Sequence, residues 1–510
     1  MLQMAVSIWT AVLALPGLLV VVWIFQLFYI PFRMRKSSGV TAPILASNPF
    51  HVLYMFFEAA YMQANNRMLA HFNNMIDRGD SKTPDVAELQ FSRRRIILTR
   101  DHEHIKTILT TKFTQYGKGE YVHSATSPFL GDSIFTTDGQ LWQKSRALIR
   151  PMFSTARVRD IEIFSRWTDM LVSKLPPSGQ TVDICDLFYR MTLDVSTDFL
   201  LGEAVGALEN PNTEFSCAFT DVQRMQMIRV ILYTFRRILP LRKYHDGIKT
   251  IERFITPYID STLQLSIEEL EKRSKSDKDF TFLHNIALFS RDPKVIRDQI
   301  FAVLIAGRDT TAATLSWAIY ELSNYPKIWR KLRTQVLEHV GPTQTPSYEH
   351  LKNLTYLTHT INETLRLYPA VPFNIRGCIE DSTLPMPEGQ PEIATSVGDI
   401  IIYSTMAMQR RADLYPAASD TFADPAIFSP DRWEHWTPKP WHYIPFNGGP
   451  RICIGQNFAV TEMGFTLVRL LQKFERLEYR GDWNAQFHKA ELVGCPGQGV
   501  SVAFYEAEQQ

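Results

Sequence analysis

Ten residues constrain this chain more than any other stretch: Phe446-Asn447-Gly448-Gly449-Pro450-Arg451-Ile452-Cys453-Ile454-Gly455. They run directly into an apolar, helix-patterned segment that begins near Gln456. A lone thiol on a glycine-rich turn has two readings. Either it is a free cysteine packed as a small apolar side chain, or its thiolate ligates a haem iron. Every part of the turn has a use in the second. Glycines, here Gly449 and Gly455, let the backbone pass close to a flat macrocycle with no Cβ in the way. Turn amides and the N-terminus of the following helix favour negative charge on the sulfur. Phe446 can shield that sulfur from water, and Arg451 can pair with a haem propionate.

The other four cysteines, Cys185, Cys217, Cys378 and Cys495, are scattered. An odd total of five with no CxxC pair argues against a disulfide framework or a structural zinc site. We read those four as packed free thiols; Cys495 has Gly494 and Gly497 beside it, but no arginine and no apolar helix follow. Charged side chains make up 21% of the 510 residues and hydrophobic ones 45%, which excludes a disordered or collagen-like chain. With 54 basic against 53 acidic side chains, nothing favours nucleic-acid binding.

The turn resembles the F-x-x-G-x-R-x-C-x-G signature of the cytochromes P450, the haem-thiolate monooxygenases, and other motifs stand in that family's order across residues 50–505. Ala306-Gly307-Arg308-Asp309-Thr310-Thr311 is similar to the family's A/G-G-x-D/E-T-T/S element. Small Ala306 and Gly307 leave room beside a helix, and Gly307 weakens the local backbone ladder. Asp309 and Thr310 offer a carboxylate and a hydroxyl, and an acid–alcohol–water chain delivers protons one at a time to a bound oxygen. Read alone, the hexapeptide also admits a threonine bonded back to its own helix and a surface aspartate. The resemblance implies a proton-relay pair at Asp309 and Thr310, with Ala306 on the substrate-facing side of the haem.

Glu363 and Arg366 are three apart on one helical face and can pair, which in isolation reads as a minor surface bridge. Resemblance to the family's E-x-x-R helix implies instead a buried network completed by Arg432, structural rather than catalytic. Trp142 and Arg146 match the family's W-x-x-x-R helix, and four residues apart they can reach one propionate together. Arg376 matches the arginine that follows the E-x-x-R helix and is a third propionate partner by resemblance; any of these arginines can equally be a surface residue.

Helix-period patterns run over 101–113, 139–152, 155–174, 188–201, 213–235, 246–273, 293–324, 325–339, 355–367 and 456–473. Only Arg95–Thr99, Ile400–Ser404 and Gly499–Phe504 read as short β-rich runs. The expectation is a mainly α fold with small β-sheets (α+β), by resemblance the cytochrome P450 fold. The hydrophilic run Glu271–Asp279 reads as a solvated connection between helices. Arg236–Lys243 places Ile238, Leu239 and Leu241 between basic residues, as a surface loop or a membrane-touching one.

The first 32 residues carry no Asp, Glu, Lys, Arg or His. As a helix, residues 5–30 would extend ~39 Å at ~1.5 Å per residue, against a hydrocarbon core of ~30 Å. Trp23, Phe25, Phe28 and Tyr29 sit near one end, and Arg33, Arg35 and Lys36 follow, which keeps the next domain cytosolic. A cleaved signal peptide fits less well, because the run is long, lacks an N-terminal positive charge and has no A-x-A-like site. The expected organisation is a single-pass transmembrane anchor over 1–31, a linker with Gly39, Pro43 and Pro49 over 32–50, and a haem-thiolate catalytic domain over 51–510, facing the cytosol at the endoplasmic reticulum.

Within the family, LGDSIFTTDGQLWQKSRALIRPMFS, AGRDTTAATLSW, ETLRLYPAVPFNIR and FNGGPRICIGQNFA look most like the fungal alkane- and fatty-acid-hydroxylating branch. That likeness implies a hydrophobic substrate with an alkyl chain: a fatty acid, an alkane or a polyketide-type secondary metabolite. Val303, Leu304, Val371, Pro372 and Phe373 offer apolar lining or plain core. There is no GxGxxG, Walker loop or flavin domain, so the resemblance implies electrons from a membrane-bound NADPH-cytochrome P450 reductase, with O2 as co-substrate. Lys144 and Arg150 can contribute to a basic surface for that partner or are solvated helix charges. Two alternatives stay open: a haem-thiolate isomerase or dehydratase acting on a peroxide, against which the Asp309-Thr310 pair speaks, and a non-catalytic haem- or lipid-binding membrane protein.

Overall fold

A computed structural model describes residues 17, 20–21, 23–30, 32–33, 39–79, 85–91, 94–154, 159, 161–231, 241–276, 280–490 and 492–506. The expected anchor over 1–31 therefore lies largely outside the described residues, as does the Ile238–Leu239 part of the basic loop. Residues 17, 20–21, 23–30 and 32–33 are helical, and among the described residues no helix is long and apolar enough to cross a membrane. Gln26 is buried and donates to the carbonyls of Ser47 (2.8 Å) and Gln90 (3.1 Å).

The fold is mainly helical with small sheets. Its residues group into two compact units. One comprises the chain up to Val122, Phe373–Met408 and Gly448–Arg451; the other, larger, comprises His123–Pro372, Gln409–Asn447 and the chain from Ile452.

The first unit is built on a six-stranded sheet in the order Ile44–Ala46, Val86–Phe91, Arg94–Thr99, Ile400–Tyr403, Asn374–Cys378, Tyr116–Gly117. Ile96 pairs with Ile400 in a parallel ladder, and Arg376 with Ile401 in an antiparallel one. The connector expected over 32–50 thus carries a strand, and a helix begins within it at Pro49, where Asn48 caps the Phe50 amide. Phe373 belongs to this unit's core, its ring 5.2 Å from Phe72. In the 101–113 segment the helix changes pitch: Thr107–Thr111 is a π turn.

The larger unit is assembled around Pro293–Asn324, about 48 Å long at ~1.5 Å per residue. Asp292 caps its start by accepting from the Lys294 amide, Pro293 occupies the first turn, and Tyr325-Pro326 follows its end. Its C-terminal half, with Leu315, Trp317, Ile319 and Leu322, packs into the main core with the Thr355–Leu367 and Gln456–Lys473 helices. The pattern over 246–273 is two helices, Arg242–Gln264 and Ile267–Ser276. Ser266 restarts the second one: its hydroxyl accepts the Glu269 amide and the Glu269 carboxylate accepts the Ser266 amide. Residues 271–276 are therefore helix, not the connection the hydrophilic run implies.

Candidate active site

Cys453 lies between a tight turn at Gly449–Arg451 and the N-terminus of the Gln456–Lys473 helix. Its amide donates to Phe446 O at 3.0 Å, closing the loop, and the Phe446 ring packs on the main core. Burial, the largest influence, pushes the thiol pKa up; a hydrogen bond from the Gly455 amide and the charge of Arg146 oppose it. Yet Cys453 keeps accessible surface. The sulfur is thus crowded by protein yet still reachable. An enclosed sulfur of this kind ionises against a cation, which a bound iron supplies.

Arg146 and Trp142 share a face of the Gly139–Ile149 helix, the guanidinium 5.9 Å from the indole centroid. Arg146 Nη1 donates to Ile452 O at 3.1 Å, so this arginine reaches the cysteine loop itself. Trp142 is buried, whereas Lys144 and Arg150 are exposed.

From Phe301 to Ser323 the long helix is buried except at Val303, Ala306, Gly307 and Thr310. Spaced by three, one and three, these four form a single stripe. A buried helix with one partly open stripe has accessible surface along that stripe, where a flat macrocycle or its substrate would lie. Leu304 belongs to the core, at 1% exposed, so only Val303 of that pair lies on it. Thr310 Oγ1 donates to Ala306 O at 2.7 Å, the helix back-bond that threonine commonly makes. Asp309 is no surface charge: it is buried, 2.5 Å from Gln223 Nε2 and 3.2 Å from Arg308 Nη1. Gly307 permits close approach of the Ile184–Leu201 helix, since a Cβ there would lie 2.8 Å from Ser196 Oγ.

Glu363, Arg366 and Arg432 are fully buried and joined. Arg366 forks onto Glu363 through Nε (2.7 Å) and Nη2 (2.9 Å), and Arg432 Nε reaches the same carboxylate at 3.2 Å. Two more donors complete it, the Ser429 amide (2.9 Å) and the Trp433 indole (3.0 Å). Arg432 also caps the carbonyls of Ala423, Asp424 and Ile427. Burial alone would lower the Arg366 pKa; the Glu363 carboxylate outweighs it and raises it.

The remaining predicted residues lie in the sheet-bearing unit. Arg376 is 1% exposed, so it is no surface arginine; its guanidinium stands 5.7 Å from the Tyr403 ring. Arg451 stands 5.8 Å from the Phe113 ring. Gly449 has φ +64°, and a Cβ on it would meet Leu109 O at 1.9 Å.

Sequence reasoning missed Gln223 and Glu462, single polar residues in helices that carry no motif around them. Glu462 lies on the cysteine helix, 2% exposed, hydrogen-bonded to Thr311, with Oε1 unpartnered. Burial raises its pKa to about 8, the Thr311 hydroxyl opposing. From about pH 4.5 to about 8 the unfolded chain therefore holds its charge while the folded acid stays protonated, so stability falls as pH rises through that window. Glu462→Gln keeps the acceptor and removes this slope, which amounts to a few kcal/mol. Thermal midpoints of the haem-loaded proteins should diverge in favour of the variant between pH 5 and pH 8; parallel curves would contradict a neutral buried acid.

The donor set fits a thiolate-held haem: an enclosed yet reachable sulfur and an open stripe of small residues. Comparison with known proteins agrees. Residues 57–500 match the family model described as "Cytochrome P450". "Cytochrome P450 monooxygenase pvhE" of Talaromyces variabilis is 46% identical over 446 residues, 83% of each chain. "Cytochrome P450 52A1" of Candida tropicalis is 39% identical over 407 residues, 75% of this chain and 73% of its own. The crystal structure of the cytochrome P450DA heme domain shares the fold, with a TM-score of 0.72 at 19% identity, covering 92% of this chain and 97% of that one. With a family model spanning residues 57–500 and relatives alike over three quarters of its length, this chain belongs to the cytochrome P450 family and is a haem-dependent monooxygenase.

Proposed function

We propose that this monooxygenase hydroxylates an alkyl chain of a hydrophobic substrate, a fatty acid, an alkane or a polyketide-type metabolite, using O2 and electrons from an NADPH-cytochrome P450 reductase. The observation that carries the reading is the partly open stripe with Val303, Ala306 and Thr310 on an otherwise buried helix, because short side chains there leave room for an extended apolar chain. Likeness to proteins named cytochrome P450 52 supports the same class.

Haem, bound through a thiolate, supplies O2 binding and the oxidising chemistry. Cys453 would ligate it, with the Gly455 amide and Arg146 steadying negative charge on sulfur. Trp142, Arg146, Arg376 and Arg451 would hold the propionates, Gly449 and Gly455 would let the backbone lie close to the ring, and Phe446 would keep water from the sulfur. Ala306 would border the ring on the substrate side. Asp309, held by Gln223 and Arg308, would hold the proton that Thr310 passes on. For that transfer the Thr310 hydroxyl must leave its bond to Ala306 O. Glu363, Arg366 and Arg432 support the loop and touch no reactant. Residues 1–31 would anchor the catalytic domain, 51–510, to the endoplasmic reticulum membrane on its cytosolic side, with 32–50 between them; Lys144 and Arg150 would face the reductase.

Co-expression with a reductase, followed by mass spectrometry on alkanes, fatty acids and host metabolites, tests this. A product one oxygen atom heavier, dependent on NADPH and O2, is expected. Turnover of an organic hydroperoxide without NADPH or reductase, and none with them, would overturn it.

A further inference from the structure

Among the described residues, most of the large apolar side chains left exposed fall between Val20 and Tyr61. Two helices carry the greater part of them. Pro49–Ala64 buries Val52 and Met55 in a core shared with Leu89 and Leu98 of the six-stranded sheet, and Glu58 is its one acidic or basic residue besides His51. Its outer face shows Phe50 (44% exposed), Tyr54 (61%), Phe57 (59%) and Tyr61 (63%). Spaced by four, three and four, these rings form one stripe. A helix face that met only water would carry polar and charged side chains there. Residues 23–30 belong to the second helix, on which Ile24, Leu27 and Phe28 are exposed.

Another face of that second helix is fastened to the sheet. Gln26 and Ile30 are buried, and Arg33, spaced by three from Ile30, donates to Val397 O (3.0 Å) and to Asp399 Oδ1 (3.2 Å). Gln26 reaches Ser47 O, one residue before the Asn48 cap of Pro49–Ala64. Arg33 meets a need in the sheet. Glu88 and Asp399 are fully buried, and among the described residues Arg95 and Arg33 are the cations that pair with them. Burial pushes the Asp399 pKa up, while Arg95 and Arg33 hold it down. Two buried carboxylates served by Arg95 alone would leave a charge uncompensated, which is costly. The apolar helix therefore runs along its unit, held at both ends of this face, and does not swing on a loose connector.

We propose that Pro49–Ala64 lies along a lipid surface, its four rings in the boundary between headgroups and acyl chains, and that Gln26 and Arg33 lock the apolar helix beside it. The sheet-bearing unit then meets the membrane in one fixed orientation; the assignment rests on the anchor reading above. Aromatic rings suit that boundary, where an apolar body and a wet phenol end are both satisfied. The chain itself favours lipid over a protein partner. Its first 32 residues, without an acidic or basic side chain, lead straight into the helix that Gln26 fastens next to the stripe.

The full-length haem-loaded protein tests this in phosphatidylcholine vesicles that contain a photoactivatable, carbene-forming acyl chain, with adducts mapped by mass spectrometry. Phe289, 64% exposed at the end of another helix, is the control for an aromatic ring that faces water. Tyr54, Phe57 and Tyr61 should take several-fold more adduct than Phe289. Arg33→Gln should lower adducts on the stripe several-fold and leave those on residues 1–25 unchanged, whereas Arg33→Lys should keep most of them; an intact Soret band shows that each variant is folded. No excess over Phe289 on the stripe, with residues 1–25 labelled, overturns the proposal and leaves the anchor standing. Equal labelling of the stripe in the wild type and Arg33→Gln overturns the lock. Protection of Tyr54 and Tyr61 from a water-soluble carbene reagent that grows with protein concentration in the absence of lipid assigns the face to a second copy of this chain, against the proposal. If residues 1–25 stay unlabelled, the anchor reading itself fails, whatever the stripe shows.

Discussion

Glu363→Ala is expected to leave no haem-loaded protein at physiological temperature. The substitution strands the Arg366 and Arg432 guanidiniums, both fully buried, together with the Trp433 indole and the Ser429 amide. Removing one partner of a buried ion pair costs about 3–5 kcal/mol. Here one carboxylate serves two cations, and a domain's whole stability is about 5–15 kcal/mol. Soluble yield and the thermal midpoint measure the effect. Glu363→Gln keeps the shape but sets an amide N–H against donors, so it should also fall well below the wild type. Near-normal yield from the alanine variant would show that other groups carry this junction.

Cys453→Ser is expected to abolish both the strongly red-shifted Soret band of the reduced carbon monoxide complex and all turnover, with the polypeptide still folded. A serine hydroxyl is a far weaker donor to iron, and it offers the Gly455 amide and Arg146 no negative sulfur to stabilise. Cys217→Ser, at an exposed site on the Glu214–Ile231 helix, should leave the band in place and serves as the control. An unaltered spectrum in Cys453→Ser would sink the ligand assignment and every role that hangs on it.

The legible parts of this chain were those whose signal is local. The bounds of Pro293–Asn324, Thr355–Leu367 and Gln456–Lys473 follow from periodicity, with Asp292-Pro293 opening the first and Pro326 and Pro369 lying beyond the first two. The Glu363-Arg366 pair and the cysteine turn are local too. Val86–Phe91 (VAELQF) and Asn374–Cys378 (NIRGC) escaped notice because they are poor in β-branched residues and gain their stability from neighbours distant in sequence. The break at Leu265-Ser266 was hidden because the hydrophilic pattern runs through it while a serine–glutamate cap does not change hydropathy. Gln223 and Glu462 carry no motif; what singles them out is a buried partner that only the folded chain reveals. At Gly307 the fold shows a use that the motif did not: the missing Cβ makes room for the neighbouring Ser196.

The two glycines that flank the cysteine differ in how freely they could drift over evolutionary time. At Gly449 a left-handed backbone and the Leu109 carbonyl together exclude every side chain, so no mutational path leads away from that residue without moving main chain. At Gly455 the nearest obstacle to a Cβ is the Phe153 ring at 3.4 Å, and a ring can turn. One position is frozen by geometry; the other is held only by what its neighbours happen to be.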